Sequence, residues 1–118
     1  MKRILIVDND PAVTRLARLK LESTGIYEVF TENRGSFAPA AARKFKPDMI
    51  LLDILMPDLL GSEVAAAMQE DPALAHIKVV FLTAMLNEGE EQQSGANIVV
   101  GKPISTEELL AIVARTLA

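Results

Sequence analysis

A chain of 118 residues with a net charge of −4 and a pI near 5.0 has room for one core and carries no basic run for nucleic acid. Half of the residues are hydrophobic and 24% are charged, which excludes a disordered chain, and the absence of cysteine excludes a disulfide framework or a thiolate metal site. No run approaches the roughly 18 apolar residues of a membrane span, and the four apolar residues between Arg3 and Asp8 are too few for a signal peptide. Residues 1–118 are therefore read as one soluble domain with no direct nucleic-acid or membrane partner; nothing suggests secretion, and a cytoplasmic location is the expectation.

Ile4-Leu5-Ile6-Val7 is an all-apolar run that ends in acid, Asp8-Asn9-Asp10. Pro11 suits the first turn of a helix with Asn9 or Asp10 as N-cap. On that helix Val13, Leu16, Ala17 and Leu21 share one face, and Gly25 ends it. Tyr27 to Thr31 is a short strand, and Asn33-Arg34-Gly35-Ser36 is a loop. Phe37, Ala41 and Phe45 then form a helical stripe that stops at Lys46-Pro47. Met49-Ile50-Leu51-Leu52 is a strand covered on both faces, closed by Asp53 and by the turn of Met56-Pro57 and Gly61. Glu63 to Gln69 is a helix, Ile77 to Leu82 a buried strand ending in Thr83, and Asn87 to Ser94 a helix with hardly an apolar face. Asn97 to Val100 is a fifth strand before Gly101-Lys102-Pro103. Ser105-Thr106-Glu107-Glu108 has capping-box spacing and opens a helix that turns Leu109, Ile112, Val113 and Leu117 to the sheet. Strands alternate with helices, so the class is α/β: a doubly wound, five-stranded parallel sheet.

One edge of such a sheet gathers residues far apart in sequence: Asp8-Asn9-Asp10, Asp53, Thr83 and Lys102. Clustered carboxylates repel unless a cation offsets them, and a hard ion such as Mg²⁺ suits carboxylate oxygens and phosphate. A hydroxyl and an ammonium complete a cradle for a phosphoryl group, for which a carboxylate is a known acceptor. A lone Asp after a strand is usually a cap and a lone Lys usually solvated. The conjunction of four strand ends points to a site.

Ile6-Val7-Asp8-Asn9-Asp10-Pro11, Leu51-Leu52-Asp53-Ile54-Leu55-Met56-Pro57 with Gly61, Phe81-Leu82-Thr83-Ala84, Gly95-Ala96 and Lys102-Pro103 together resemble the receiver domain of two-component response regulators. The resemblance covers essentially the whole chain and implies the (βα)5 flavodoxin-like receiver fold. It implies that Asp53 takes a phosphoryl group from a histidine kinase or phosphotransfer protein. Asp8 and its neighbours Asn9 and Asp10 then hold Mg²⁺ with Asp53 and the carbonyl of Leu55, while Thr83 and Lys102 contact the phosphoryl oxygens. It implies a cis Lys102–Pro103 peptide, and an output domain or partner docking on the family's fourth helix, fifth strand and fifth helix, in a monomer or weak dimer. No enzyme activity is expected beyond self-phosphorylation and slow autodephosphorylation.

The chain departs from the pattern at three points. Asn9 stands where the family usually has a metal-binding carboxylate, Val99 where it has a switch aromatic, and the interval from Thr83 to Lys102 is short. Two other functions compete with the first. One is a degenerate receiver that binds partners without phosphorylation, favoured by Asn9 and Val99. The other is a haloacid-dehalogenase-like phosphatase with Asp8 as nucleophile and Asp10 as acid/base, which leaves Asp53 unexplained. His76, the only histidine, reads as a surface or packing residue.

Overall fold

The computed structural model describes residues 1–87, 90–94 and 97–118. In chain order they form β1 (Lys2–Val7), α1 (Pro11–Glu22), β2 (Tyr27–Glu32), a 3₁₀ turn (Gly35–Phe37), α2 (Ala38–Phe45), β3 (Met49–Asp53), α3 (Gly61–Glu70), β4 (Lys78–Thr83), β5 (Glu91–Ser94), β6 (Asn97–Gly101) and α4 (Thr106–Leu117). The sheet order is β2-β1-β3-β4-β6-β5, parallel throughout except that β5 runs antiparallel to β6.

Alternation along the strands builds two cores. Ile4, Ile6, Met49, Leu51, Val80 and Leu82 face α1 and α4, where Leu21, Leu109, Ile112 and Val113 meet them. Leu5, Val7, Ile50, Leu52 and Phe81 face the opposite way, onto Ala38, Ala41 and Ala42 of α2 and Val64 and Met68 of α3. With both faces covered, β3 is buried along its whole length, and each of its Leu and Ile side chains contributes about 1.5–3 kcal/mol relative to exposure.

Several expectations are corrected. The sheet has six strands among the described residues, and it is not wholly parallel. The segment Asn87 to Ser94 does not form a helix over its described part, with Glu88 and Gly89 lying outside the described residues. Lacking an apolar stripe to bury, it pairs instead with β6 as the edge strand β5. Among the described residues four α-helices take the place of five, and the surface expected on the family's fourth helix is made of β5 and β6 beside α4. Arg115 on α4 donates to both carboxylate oxygens of Glu91 at 2.8 Å, which fastens β5 to that helix. The resemblance at Gly95-Ala96 also lies outside the described residues. Leu16 is 54% exposed and not on the buried face, because α1 presents Thr14 and Leu21 to the sheet. Phe37 is likewise exposed, in the 3₁₀ turn ahead of α2. His76 lies at the surface.

α3 begins two residues before the sequence signal because Gly61 lets the chain fold back against the end of β3. The Gly61 N–H donates to the Ile54 carbonyl at 2.8 Å. A Cβ there would lie 2.4 Å from the Asp53 carbonyl oxygen and 2.9 Å from the Ile54 Cα. Both neighbours are backbone and cannot swing away. Gly61→Ala should lower the unfolding free energy by about 2 kcal/mol, read as an earlier urea midpoint with an unchanged slope.

Candidate functional site

The four sequence signals converge at the carboxyl edge of the sheet, where ligands bind in open α/β folds. Asp53 is the last residue of β3, in register with Leu82 of β4. Thr83 closes β4 opposite Gly101 of β6. Asp8 follows β1, its N–H donating to the Glu32 carbonyl at 3.2 Å. Asp8, Asp53 and Thr83 are all buried.

Lys102 joins these ends. Its N–H donates to the Thr83 carbonyl at 2.7 Å. Its ammonium forms a close ion pair with Oδ2 of Asp8 and lies 3.4 Å from Oδ1 of Asp53. The Lys102–Pro103 peptide is cis, as the resemblance implies. Thr83 Oγ1 accepts from the Met85 N–H at 3.1 Å. Leu55 and Met85, two residues beyond Asp53 and Thr83, are 52% and 71% exposed at the mouth of the site.

The second and third members of the acidic run lie apart from this cluster. Asp10 is the N-cap of α1, its Oδ1 accepting from the Ala12 N–H at 2.9 Å. The Asp10 N–H in turn donates to Oδ1 of Asp8 at 2.9 Å. Asn9 is exposed and lines a cleft with Asn33, Arg34, Pro57 and Asp58. Among the described residues no three His, Asp or Glu side chains form a group that could hold a metal.

Asn33 is the residue that the sequence hid. Its Nδ2 donates to the Asp8 carbonyl at 2.8 Å and to Thr14 Oγ1 at 3.0 Å. The Thr14 hydroxyl donates onward to the Pro11 carbonyl at 3.1 Å. This clamp ties the end of β2 to the β1–α1 turn and fixes the backbone that carries Asp8. An Asn in an Asn-Arg-Gly-Ser stretch reads as a turn residue, so only the spatial closeness of β1 and β2 reveals it.

Burial pushes the Asp53 carboxyl above its ordinary value of 3.8, and the Asp8 charge adds to the rise, while Lys102 and the Leu55 N–H pull the other way. Asp58 shows the opposite shift, held down to about 2 chiefly by the Ser36 donors, with the Gly35 N–H also bonded to it.

A sequence model described as the response regulator receiver domain matches residues 4–114. The DNA-binding dual master transcriptional regulator RpaA of Synechocystis sp. is 38% identical over 94% of this chain and 47% of its own length. The polar-differentiation response regulator DivK of Brucella anthropi is 34% identical over 92% of this chain and 90% of its own. The solved structure of the chemotaxis response regulator CheY4 of Vibrio cholerae is 27% identical, with a TM-score of 0.82 over 99% of both chains. This chain spans about half the length of RpaA and 24% of the response regulator PleD of Caulobacter vibrioides, which is 41% identical over 92% of this chain.

The raised Asp53 carboxyl fixes the sign of a pH effect. Above the ordinary value of 3.8 the unfolded chain ionises Asp53 more readily than the folded chain does, so ionised Asp53 costs stability as pH rises through its folded value. Asp53→Asn should melt higher than the parent at neutral pH, and the gap should close below 3.8, where both states are protonated. Asp58→Asn should melt lower at neutral pH, with the difference fading as pH falls toward about 2. Thermal unfolding of the three proteins across this range checks both signs.

Proposed function

Because this chain belongs to the response regulator receiver family, we propose that Asp53 is its phosphoacceptor. The observation that carries this reading is a buried carboxylate at the end of β3 with Lys102 Nζ at 3.4 Å and Asp8 on the same ammonium. A carboxylate oxygen of Asp53 attacks the phosphorus of a phosphohistidine on a histidine kinase or phosphotransfer protein. The new P–O bond forms as the P–N bond breaks, and the imidazole leaves with its bonding pair and takes a proton. Lys102 and Thr83 meet the phosphoryl oxygens, the ammonium turning from the carboxylates to the phosphoryl group as Asp53 becomes an acyl phosphate. The chain works as a single unit, residues 1–118, in the cytoplasm, as a monomer or weak dimer. Its self-phosphorylation and slow loss of phosphate are single turnovers and not enzymatic cycles.

Receiver domains hold Mg²⁺ at an acidic pocket of this kind. The donors here are hard oxygens, Asp8, Asp53 and the Leu55 carbonyl, with the amide of Asn9 available and Asp10 engaged on its helix. They suit an ion that keeps several waters, but with one carboxylate fewer than usual. When bound, the ion supplies positive charge to the phosphoryl oxygens. Lys102 already rests on Asp8 and competes for that place. Asn9→Asp should bind Mg²⁺ at least tenfold more tightly, about 1.4 kcal/mol, in a metal titration of both forms. Equal affinities would mean that position 9 does not reach the ion.

A phosphorylation-independent interaction module is favoured by two observations, the close Asp8–Lys102 pair and the half-buried Val99 in the switch position. The phosphatase alternative needs Asp10 free as an acid/base, whereas its carboxylate caps α1. Intact mass after incubation with a small phosphodonor and Mg²⁺ separates the readings. Label should appear on the parent and on Asp10→Asn and be absent from Asp53→Asn. A parent that takes no label leaves the interaction module.

The phosphorylated state should be long-lived, because Leu55 and Met85 flank the mouth of the site and neither side chain orients a water for in-line attack. Leu55→Asn combined with Met85→Glu should lose phosphate roughly tenfold faster, about 1.4 kcal/mol of barrier. An unchanged rate would remove these positions from control of the water.

A further inference from the structure

We propose that Arg34 is an anion-binding residue, its guanidinium engaging the phosphate oxygens of the incoming donor in the cleft beside Asn9 before transfer. The inference rests on the phosphoacceptor reading of Asp53 and adds a binding step to it.

The cleft, about 400 Å³, is lined by Asn9, Asn33, Arg34, Pro57 and Asp58. Asn9 follows Asp8 directly and Pro57 lies on the loop that leaves Asp53, so the segments that carry both acids each contribute a lining residue to the cleft. Among the described residues Arg34 is its one cationic lining residue. The guanidinium carbon stands 5.8 Å from the centroid of the Phe37 ring. That cation–π contact steadies the side chain and leaves the edge-on N–H donors open. None of the ion pairs among the described residues includes Arg34.

The other polar groups in the cleft have their roles taken. Both carboxylate oxygens of Asp58 accept from the backbone, from Gly35 N–H at 3.2 Å and Ser36 N–H at 2.9 Å, which fixes that ionised carboxylate on the turn and away from Arg34, with which it forms no ion pair. Asn33 is spent on Asp8 and Thr14. Asn9 brings no charge, so an arriving anion avoids the repulsion that a carboxylate at that position would exert.

The need for a second cation follows from Lys102. Its ammonium is held by Asp8 and Asp53, and an approaching phosphate meets that pair as net negative. Arg34 is free where Lys102 is not. A guanidinium also offers a phosphate two parallel N–H donors, which an ammonium cannot. On this account the phosphate lands on Arg34, and Lys102 moves to the phosphoryl group as Asp53 becomes an acyl phosphate.

Two measurements test this at fixed ionic strength. In the first, phosphoramidate and Mg²⁺ phosphorylate the parent, Arg34→Ala, Arg34→Lys and, as a charge control, Arg18→Ala. Arg34→Ala should raise the donor concentration at half-maximal rate at least fivefold with the maximal rate little changed. Arg34→Lys should recover part of the loss, and Arg18→Ala should match the parent. In the second, inorganic phosphate is titrated into Asp53→Asn without Mg²⁺, followed by the amide resonances of Asn9 and Asn33. Adding Arg34→Ala should weaken that binding at least fivefold. Phosphate binding that is undetectable, or that is equal with and without Arg34, overturns the proposal. Arg34-dependent phosphate binding in a chain that takes no label from phosphoramidate supports the anion site and instead removes Asp53 as acceptor.

Discussion

Two carboxylates buried within reach of a single ammonium form the constraint around which the carboxyl edge of this sheet is arranged. A buried carboxylate without a partner costs several kcal/mol. Asp8 and Asp53 are tolerable together because Lys102 lies against both and because backbone donors fill further lone pairs. The neutralisation is incomplete, which is why the Asp53 carboxyl still sits above its ordinary value. Such a group favours a proton that removes its charge or a cation that offsets it.

The same constraint explains why the surrounding loops are closed so firmly. Asn33 and Thr14 hold the turn after β1 from the side of β2, and Gly61 brings α3 against the Asp53 carbonyl. Among the expected site residues Asn9 and Asp10 are exposed, and the neutrality of Asn9 leaves the pocket with one charge fewer than the family pattern. With Val99 in place of an aromatic ring, the chain keeps the acceptor end of the receiver design more completely than the output end.

The acceptor end was legible because its signals are local. β1 and β3 are uninterrupted apolar runs that stop at an acid, and Thr83 and Lys102-Pro103 mark two further strand ends. Asp10 could be read either as ligand or as cap, and the choice depends on the direction of one side chain, which spacing does not encode. The edge strand β5 was out of reach for a different reason. Glu91, Gln92 and Gln93 carry neither a helical stripe nor a strand's alternation, and their pairing is set by β6, which comes later in the chain. Leu16 was misplaced because rotation of α1 about its axis is fixed by the sheet and not by the helix. Asn33 and Arg34 escaped notice because their partners lie across the sheet edge or in the cleft.

Thr83 and Lys102 are linked by more than proximity. The Lys102 N–H rides on the Thr83 carbonyl, and the Thr83 hydroxyl carries the Met85 N–H. Two residues beyond Met85, the Asn87 carbonyl passes so close to Gly101 that a Cβ there would fall 1.9 Å from it. The next link is the Glu90 carbonyl, which accepts the Gly101 N–H at 2.8 Å. These links tie the Lys102 backbone, the Thr83 hydroxyl and the base of the β5–β6 ribbon into one chain of close backbone contacts, so the site and the sheet's outer edge share a scaffold.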